Sequence, residues 1–252
     1  MSDDCIRLVN LRKRFGAQEV LRGVNLEIPF GKITVVIGRS GTGKSVLLKI
    51  LMGLMRTDDG NIVIAGTDIT RLGDRDLLKV RNRFGMVFQH AALFDSMTVF
   101  ENVAFPVREH EGLRGAALAE RVNAALASVG LREHGHKDVH QLSGGMRKRA
   151  AVARALVRKP EFLLYDEPTT GLDPIMTAHV DDLIRNTQNS TPGLTSLVIS
   201  HDMEATLRIA DKVAMLHEGE VIFEGTADDV RNTQHPVVRQ FVEGRIDGPI
   251  RL

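Results

Sequence analysis

At 252 residues, 43% of them hydrophobic and 26% charged, the chain has the composition of an ordinary globular protein, large enough for one sizeable domain or a domain with a sub-lobe. Its 33 Lys and Arg against 32 Asp and Glu leave a net charge of +1, which excludes nonspecific nucleic-acid binding as the main task and leaves only a local basic patch open. One cysteine, Cys5, excludes an intrachain disulfide and fits a reducing compartment, and no apolar run approaches the ~18 residues of a membrane span.

The opening MSDDCIRLVN is acidic and lacks the apolar core of a secretory signal. CIRLVNL and VLRGVNLEI alternate as strands, and ITVVI is the continuous apolar run of a buried parallel strand. SVLLKILMGLM has helical spacing; NIVIAG and FGMVFQ return to strand, so the first ninety residues read mostly as strands. From about Ala91 to Val157 the pattern turns helical, through LAERVNAALASVG and RKRAAVARALVRK, and this block reads as an inserted sub-lobe. FLLYDE is again a buried strand. DPIMTAHVDDLIRNTQ is a helix with Asp173 as N-cap and Pro174 at its first position. TSLVIS is a strand and HDMEATLRIA a helix; KVAML and EVIFEG form a hairpin through HEGE, and TADDVRN is a capped helix. Parallel-type strands alternating with helices define an α/β core.

Between ITVVI and VLLKI lies GRSGTGKS, which matches G-x-x-x-x-G-K-[ST] with a strand before it and a helix after it. Gly38, Gly41 and Gly43 let the backbone curl, so that the N–H groups along Arg39, Ser40, Thr42 and on to Val46 can point around phosphate oxygens. The helix N-terminus adds partial positive charge, Lys44 would reach the β- and γ-phosphates of ATP, and Ser45 would hold Mg²⁺. FLLYDE delivers Asp166 and Glu167 at the C-terminal end of its strand, where α/β sheets bind ligands. Asp166 suits the Mg²⁺ shell, and Glu167 suits a general base acting on the attacking water.

LSGGMRKR at 142–149 resembles the signature of ATP-binding-cassette ATPases, with Gln89 after FGMVFQ, GLD at 171–173 and His201 after TSLVIS in the expected order. The resemblance runs from about Ile6 to Val242. It implies an ABC-type P-loop NTPase spanning 1–244: a RecA-like core, a small antiparallel β sub-lobe, and a helical sub-lobe at about 91–157 carrying the signature. By the same resemblance, Ser143, Gly144 and Gly145 meet the ATP held by a second copy of the chain, so that two chains sandwich two nucleotides. Asp173 then sits at that interface, His201 contacts the γ-phosphate and orients the water, and Gln89 senses Mg²⁺ and the water. Phe15 falls where the family stacks an aromatic on adenine; core packing is its alternative. Met146 stands where the signature usually has glutamine, whose hydrogen bonds methionine cannot make.

Two further stretches read as bland. His134, His136 and His140 lack metal-ligand spacing, and the basic run from Arg147 to Lys159 reads as a solvated helix face.

FENVAFP followed by REH, together with LSGGM, is similar to the ATPases of bacterial Mla-type phospholipid transporters, which serve MCE-domain proteins. This implies a peripheral subunit on the cytoplasmic face of the inner membrane. Its partners would be a multi-span permease, an MCE-domain protein and a STAS-type subunit, with no nucleic acid. Leu93, Phe94, Met97 and Phe100 would offer an exposed apolar docking patch beside Gln89. The alternatives are a soluble cassette ATPase for DNA repair or translation, an importer ATPase for another substrate, and an inactive ATP-holding module. The first usually carries two cassettes or a coiled-coil insertion, and the last would lack Lys44 or Glu167. After His235-Pro236, VVRQFVEG predicts a short helix with Val237, Val238, Phe241 and Val242 on one face, and the tail at 245–252 is either frayed or an arm whose Ile246, Ile250 and Leu252 lie on another chain.

Overall fold

The computed structural model describes residues 5–250, so the expectation for Leu252 lies outside the described residues. The chain forms two compact units, one of residues up to Arg81 and from Leu197 onward, the other of Asn82–Ser196.

In the first unit, β1 (Cys5–Phe15) pairs antiparallel with β2 (Gln18–Pro29) and with β4 (Asp59–Ile64), and β5 (Thr67–Asp68) extends the sheet in the order β2-β1-β4-β5. This is the small antiparallel β sub-lobe. Val24, Leu26 and Ile28 turn inward at alternating positions, and Leu8/Leu11 and Leu21/Val24 keep the inward face across steps of three where the pairing of β1 with β2 shifts register. β3 (Ile33–Ile37) is buried at all five positions and runs parallel to β9 (Lys212–His217), with Ile37 opposite Met215. β10 (Glu220–Gly225) returns antiparallel to β9 through Glu218 and Gly219, whose φ values of 47° and 84° are those of a tight hairpin turn. Helix α1 (Lys44–Leu51) follows β3. Helix α2 (Asp74–Arg81), which the sequence reading missed, buries Leu77 and Val80.

In the second unit, β6 (Phe84–Val87) and β7 (Phe162–Asp166) are parallel neighbours, with the Phe84 and Phe162 rings 4.9 Å apart. Between them lie α3 (Val99–Glu111), α4 (Gly115–Ser128) and α5 (Gly144–Leu156); α6 (Pro174–Ser190) follows β7. Helix does not begin at Ala91, as the sequence pattern suggests: residues 91–98 form a loop, and α3 starts behind a capping box between Thr98 and Glu101. Fully buried Asn102 closes that loop. Its Oδ1 accepts from Phe94 N at 2.7 Å, and its Nδ2 donates to the carbonyls of Phe94, Met97 and Thr98 at 3.0, 3.2 and 3.0 Å.

The chain returns to the first unit within β8 (Thr195–Ser200), followed by α7 (Met203–Ile209), α8 (Ala227–Asn232) behind the Thr226–Asp229 capping box, and α9 (Pro236–Glu243). On the expected face of α9 Val238 is buried and Val237, Phe241 and Val242 are half-buried; the unexpected buried residue is Gln240. Among the described tail residues, 245–250 fold back on α9 and bury Ile250, while Ile246 stays exposed.

Replacing Asn102 with Ala takes the side-chain partner from the Phe94 N–H and the Met97 carbonyl, while the carbonyls of Phe94 and Thr98 keep the backbone donors Met97 N and Asn102 N, so it should cost about 2 kcal/mol. A lowered urea midpoint at unchanged slope checks this; an unchanged midpoint would mean that water replaces the lost bonds.

Candidate nucleotide site

The register of β3 on β9 sets Gly38 beside Leu216. A Cβ at Gly38 would lie 2.3 Å from the Leu216 carbonyl oxygen, and φ is 152°, so no residue with a side chain fits the start of this loop. The loop then turns through Arg39, Ser40, Gly41 and Thr42, where the Thr42 hydroxyl donates to the Arg39 carbonyl at 2.9 Å. Lys44 opens α1 and is buried. Its ammonium donates to the Gly38 and Arg39 carbonyls at 2.7 and 2.8 Å, which fixes the charge inside the loop. No acidic residue of α1 itself occupies its first turn, so the helix's own sequence leaves the positive end beside Ser45 and Val46 unreduced. Arg39 through Thr42 form one side of a cavity of about 590 Å³, with Gln18 and Val20 of β2 among its other walls. Phe15 is 46% exposed at the end of β1, opposite Gln18; it is not in the cavity wall, and Lys13 Nζ stands 5.7 Å from its ring centre. His201 follows β8 and is exposed, one residue before the Asp202 cap of α7.

The second unit carries the other set. Asp166 ends β7, and Glu167 follows with φ 47°, a left-handed conformation that costs a residue with a side chain on the order of 1–3 kcal/mol. The Thr170 hydroxyl donates to its carboxylate at 3.0 Å and orients it; nothing in the sequence reading singled out Thr170. Asp173 caps α6 as expected, its Oδ1 accepting from both Ile175 N and Met176 N at 3.0 Å.

Ser143 caps α5, and its hydroxyl accepts from Met146 N at 3.2 Å. That bond uses the backbone of Met146, so the cap does not depend on the side chain there. The two signature glycines differ. A Cβ on Gly145 would fall 2.0 Å from Cε of Met176, whereas one on Gly144 would meet only Leu172 at 3.7 Å, an ordinary contact.

The basic run is a solvated face only in part: Arg147 and Lys159 are exposed, but Lys148 and Arg154 are bonded to backbone carbonyls. Lys148 is buried and donates to the Gln89 carbonyl, and burial lowers its ammonium below the ordinary lysine range. Arg154 donates to the carbonyls of Ala92 at 2.6 Å and Ala91 at 2.9 Å. Those two alanines have φ of 49° and 61°, so a charged fork holds a strained turn two residues beyond Gln89. Arg147 donates to the Leu142 carbonyl and is exposed, Arg149 is half-buried, Arg158 reaches Asn82 and Glu111, and Lys159 is exposed. The sequence did carry a signal for Lys148: with Gly145 and Val152 it shares one helical stripe, and its neighbours on that stripe are buried. Of the expected apolar patch, Phe94 is 44% exposed and stacks near Phe105, while Leu93, Met97 and Phe100 are half-buried; Phe88, just before Gln89, adds exposed apolar surface.

Removing the Arg154 fork with Arg154→Leu should lower ATP turnover by roughly tenfold, the equivalent of ~1.4 kcal/mol, while the Kd for ATP changes much less. Turnover and nucleotide titration on the same preparation separate the two; equal losses in both would assign Arg154 to nucleotide binding or to folding.

Residues 21–170 match the family model described as ABC transporter. The chain is 41% identical over 252 residues to the intermembrane phospholipid transport system ATP-binding protein MlaF of Haemophilus influenzae, covering 100% of this chain and 95% of that one. It is 42% identical over 247 residues to the probable ribonucleotide transport ATP-binding protein mkl of Mycobacterium tuberculosis, covering 98% and 68%. Among solved structures, it resembles the dimeric post-hydrolysis state of the ATP-binding cassette MJ0796 bound to ADP and Pi, with a TM-score of 0.77 and 30% identity over 88% of this chain and 98% of that one.

Proposed function

The chain belongs to the ABC transporter family of ATP-binding subunits, and we propose that it hydrolyses ATP to drive phospholipid transport through a separate membrane permease. The observation that carries the choice of substrate is the 41% identity to the phospholipid-system ATPase, which extends over the whole chain and 95% of that relative. The ribonucleotide-transport relative favours a second reading, in which the same ATPase serves another substrate. Members of the family bind and hydrolyse ATP, pair with a second cassette and work with membrane-spanning components. Among the described residues no helix is long and apolar enough to cross a membrane, which leaves that task to the permease. We place the chain on the cytoplasmic face of the inner membrane, with Phe88 and Phe94 offering apolar surface to the permease, and an MCE-domain protein and a STAS-type subunit as further partners.

Each residue then has a task. Backbone N–H groups from Arg39 to Val46 cradle the phosphates, Lys44 adds its fixed charge, and Phe15, exposed at the end of β1 outside the cavity wall, would cover the adenine where it projects from the cavity. Ser45, Gln89 and Asp166 supply oxygen donors for Mg²⁺. Among the described residues no three His, Cys, Asp or Glu side chains gather to hold a metal, and this suits Mg²⁺, which takes few protein ligands and completes its shell with water and substrate phosphates. Bound there, Mg²⁺ would neutralise phosphate charge. Glu167, held by Thr170, accepts the proton of the attacking water, and His201 orients that water. Ser143, Gly144 and Gly145 address the nucleotide of a second copy. The ordinary 3.7 Å contact that a Cβ on Gly144 would make supports this, since the chain's own packing does not demand glycine there. Asp173, with Oδ1 committed to the α6 cap, would meet the second copy through Oδ2.

Affinity capture of the tagged chain from detergent-solubilised membranes should recover a multi-span permease and an MCE-domain protein, with phospholipid identified by mass spectrometry. Capture of a permease without lipid or MCE partner would favour the other-substrate reading. Lys44→Ala should abolish ATP turnover in the captured complex while leaving its subunit composition intact; parental turnover would overturn the phosphate-loop assignment.

A further inference from the structure

The cavity beside the phosphate loop has one wall that the sequence reading assigned elsewhere. Arg39 through Thr42 line its phosphate side, and the hairpin residue Gly219, which accepts Arg22 N at 2.8 Å, closes another. Among the described residues, the aliphatic side chains in the wall are Val20 and Pro249. Pro249 comes from the C-terminal tail.

The tail is held there by a built contact. Gln240 lies in α9 at 6% exposure, an unusual depth for an amide. Its Oε1 accepts from Ile250 N at 2.6 Å, and its Nε2 donates to the carbonyls of Ile250, Arg245 and Ile246 at 3.2, 3.3 and 3.3 Å. The chain crosses this amide so closely at Gly248, with φ 156°, that a Cβ would sit 2.4 Å from Cδ of Gln240. Ile250 is buried. Pro249 is therefore fixed between a glycine that must pass over the latch and an isoleucine bonded to it. Its missing N–H asks for no partner, so its ring can present only apolar surface to the cavity.

A nucleotide has two chemistries. Its phosphates need N–H groups and cations, which the loop supplies, and its base and ribose need apolar faces, which suit Val20 and a rigid proline ring. We propose that Pro249, latched by Gln240, contacts the base–ribose part of the nucleotide in its own chain, so that the C-terminal tail is a binding element of the site. This deepens the reading of the cavity as the ATP site and rests on it.

Calorimetric titration of the full chain with ATP and with inorganic tripolyphosphate tests it. Pro249→Gly should weaken ATP binding about three- to tenfold, the scale of one lost apolar contact, and leave tripolyphosphate binding unchanged. Gln240→Leu, which frees the tail without touching the cavity, should reproduce that pattern, as should truncation after Gly244. Parental ATP affinity in Pro249→Gly would overturn the proposal. Equal losses for both ligands would also overturn it, because the tail would then act through the phosphate loop. A parent chain that binds neither ligand would overturn the ATP-site reading itself, a result distinct from either of these.

Discussion

The phosphate loop depends on a steric limit at one atom pair. Parallel pairing of β3 with β9 puts Ile37 against Met215 and brings the next residue, Gly38, under the Leu216 carbonyl, where a Cβ would stand at 2.3 Å. The bare backbone at this point lets the loop leave the strand at once and curl rather than continue the sheet. Lys44 then closes the curl by donating to the carbonyls of Gly38 and Arg39, so the positive charge and the amide cradle are set by the same few atoms. Preorganisation of this kind favours phosphate without a reorganisation cost at the moment of binding.

The second unit is organised by a different economy, that of buried cations on backbone carbonyls. Lys148 and Arg154, both on the signature helix α5, grip the carbonyls of Gln89, Ala91 and Ala92, while Asn102 of α3 fixes the loop that follows. Signature helix, Gln89 and the exposed Phe94 are thereby parts of one bonded assembly within that unit. A push on the exposed loop would reach Gln89 and α5 through hydrogen bonds rather than through loose chain. Glu167 is strained in the same unit and is aimed by Thr170. Strain of this sort persists where surrounding contacts over-determine it, and here the short turn closed by Thr170 N on the Glu167 carbonyl supplies them.

Much of this was legible in the residue order. The buried strands ITVVI and FLLYD declare themselves as uninterrupted apolar runs, and the caps at Asp173 and Thr226 follow from side-chain chemistry. The features that escaped have two causes. Helix α2 buries only Leu77 and Val80, too few points to define a period. Lys148, Arg154 and Gln240 are polar residues whose partners are backbone carbonyls, up to 63 positions away for Arg154. A carbonyl has no residue type, so sequence cannot name it as a partner. The same blindness turned the basic run of α5 into a solvated face, and it left the tail with two readings when a glutamine four residues before the end of α9's own cap region holds it in place.

The central claim is that this chain supplies half of two composite ATP sites, with Glu167 as the base. Sedimentation velocity of Glu167→Gln in Mg-ATP and in Mg-ADP tests it most directly. Base catalysis contributes roughly 10²–10⁴-fold, so the variant should hold ATP long enough for two chains to remain closed around it. The account predicts a dimer in Mg-ATP and a monomer in Mg-ADP. A monomer in both, or a variant that hydrolyses ATP at the parental rate, would contradict it.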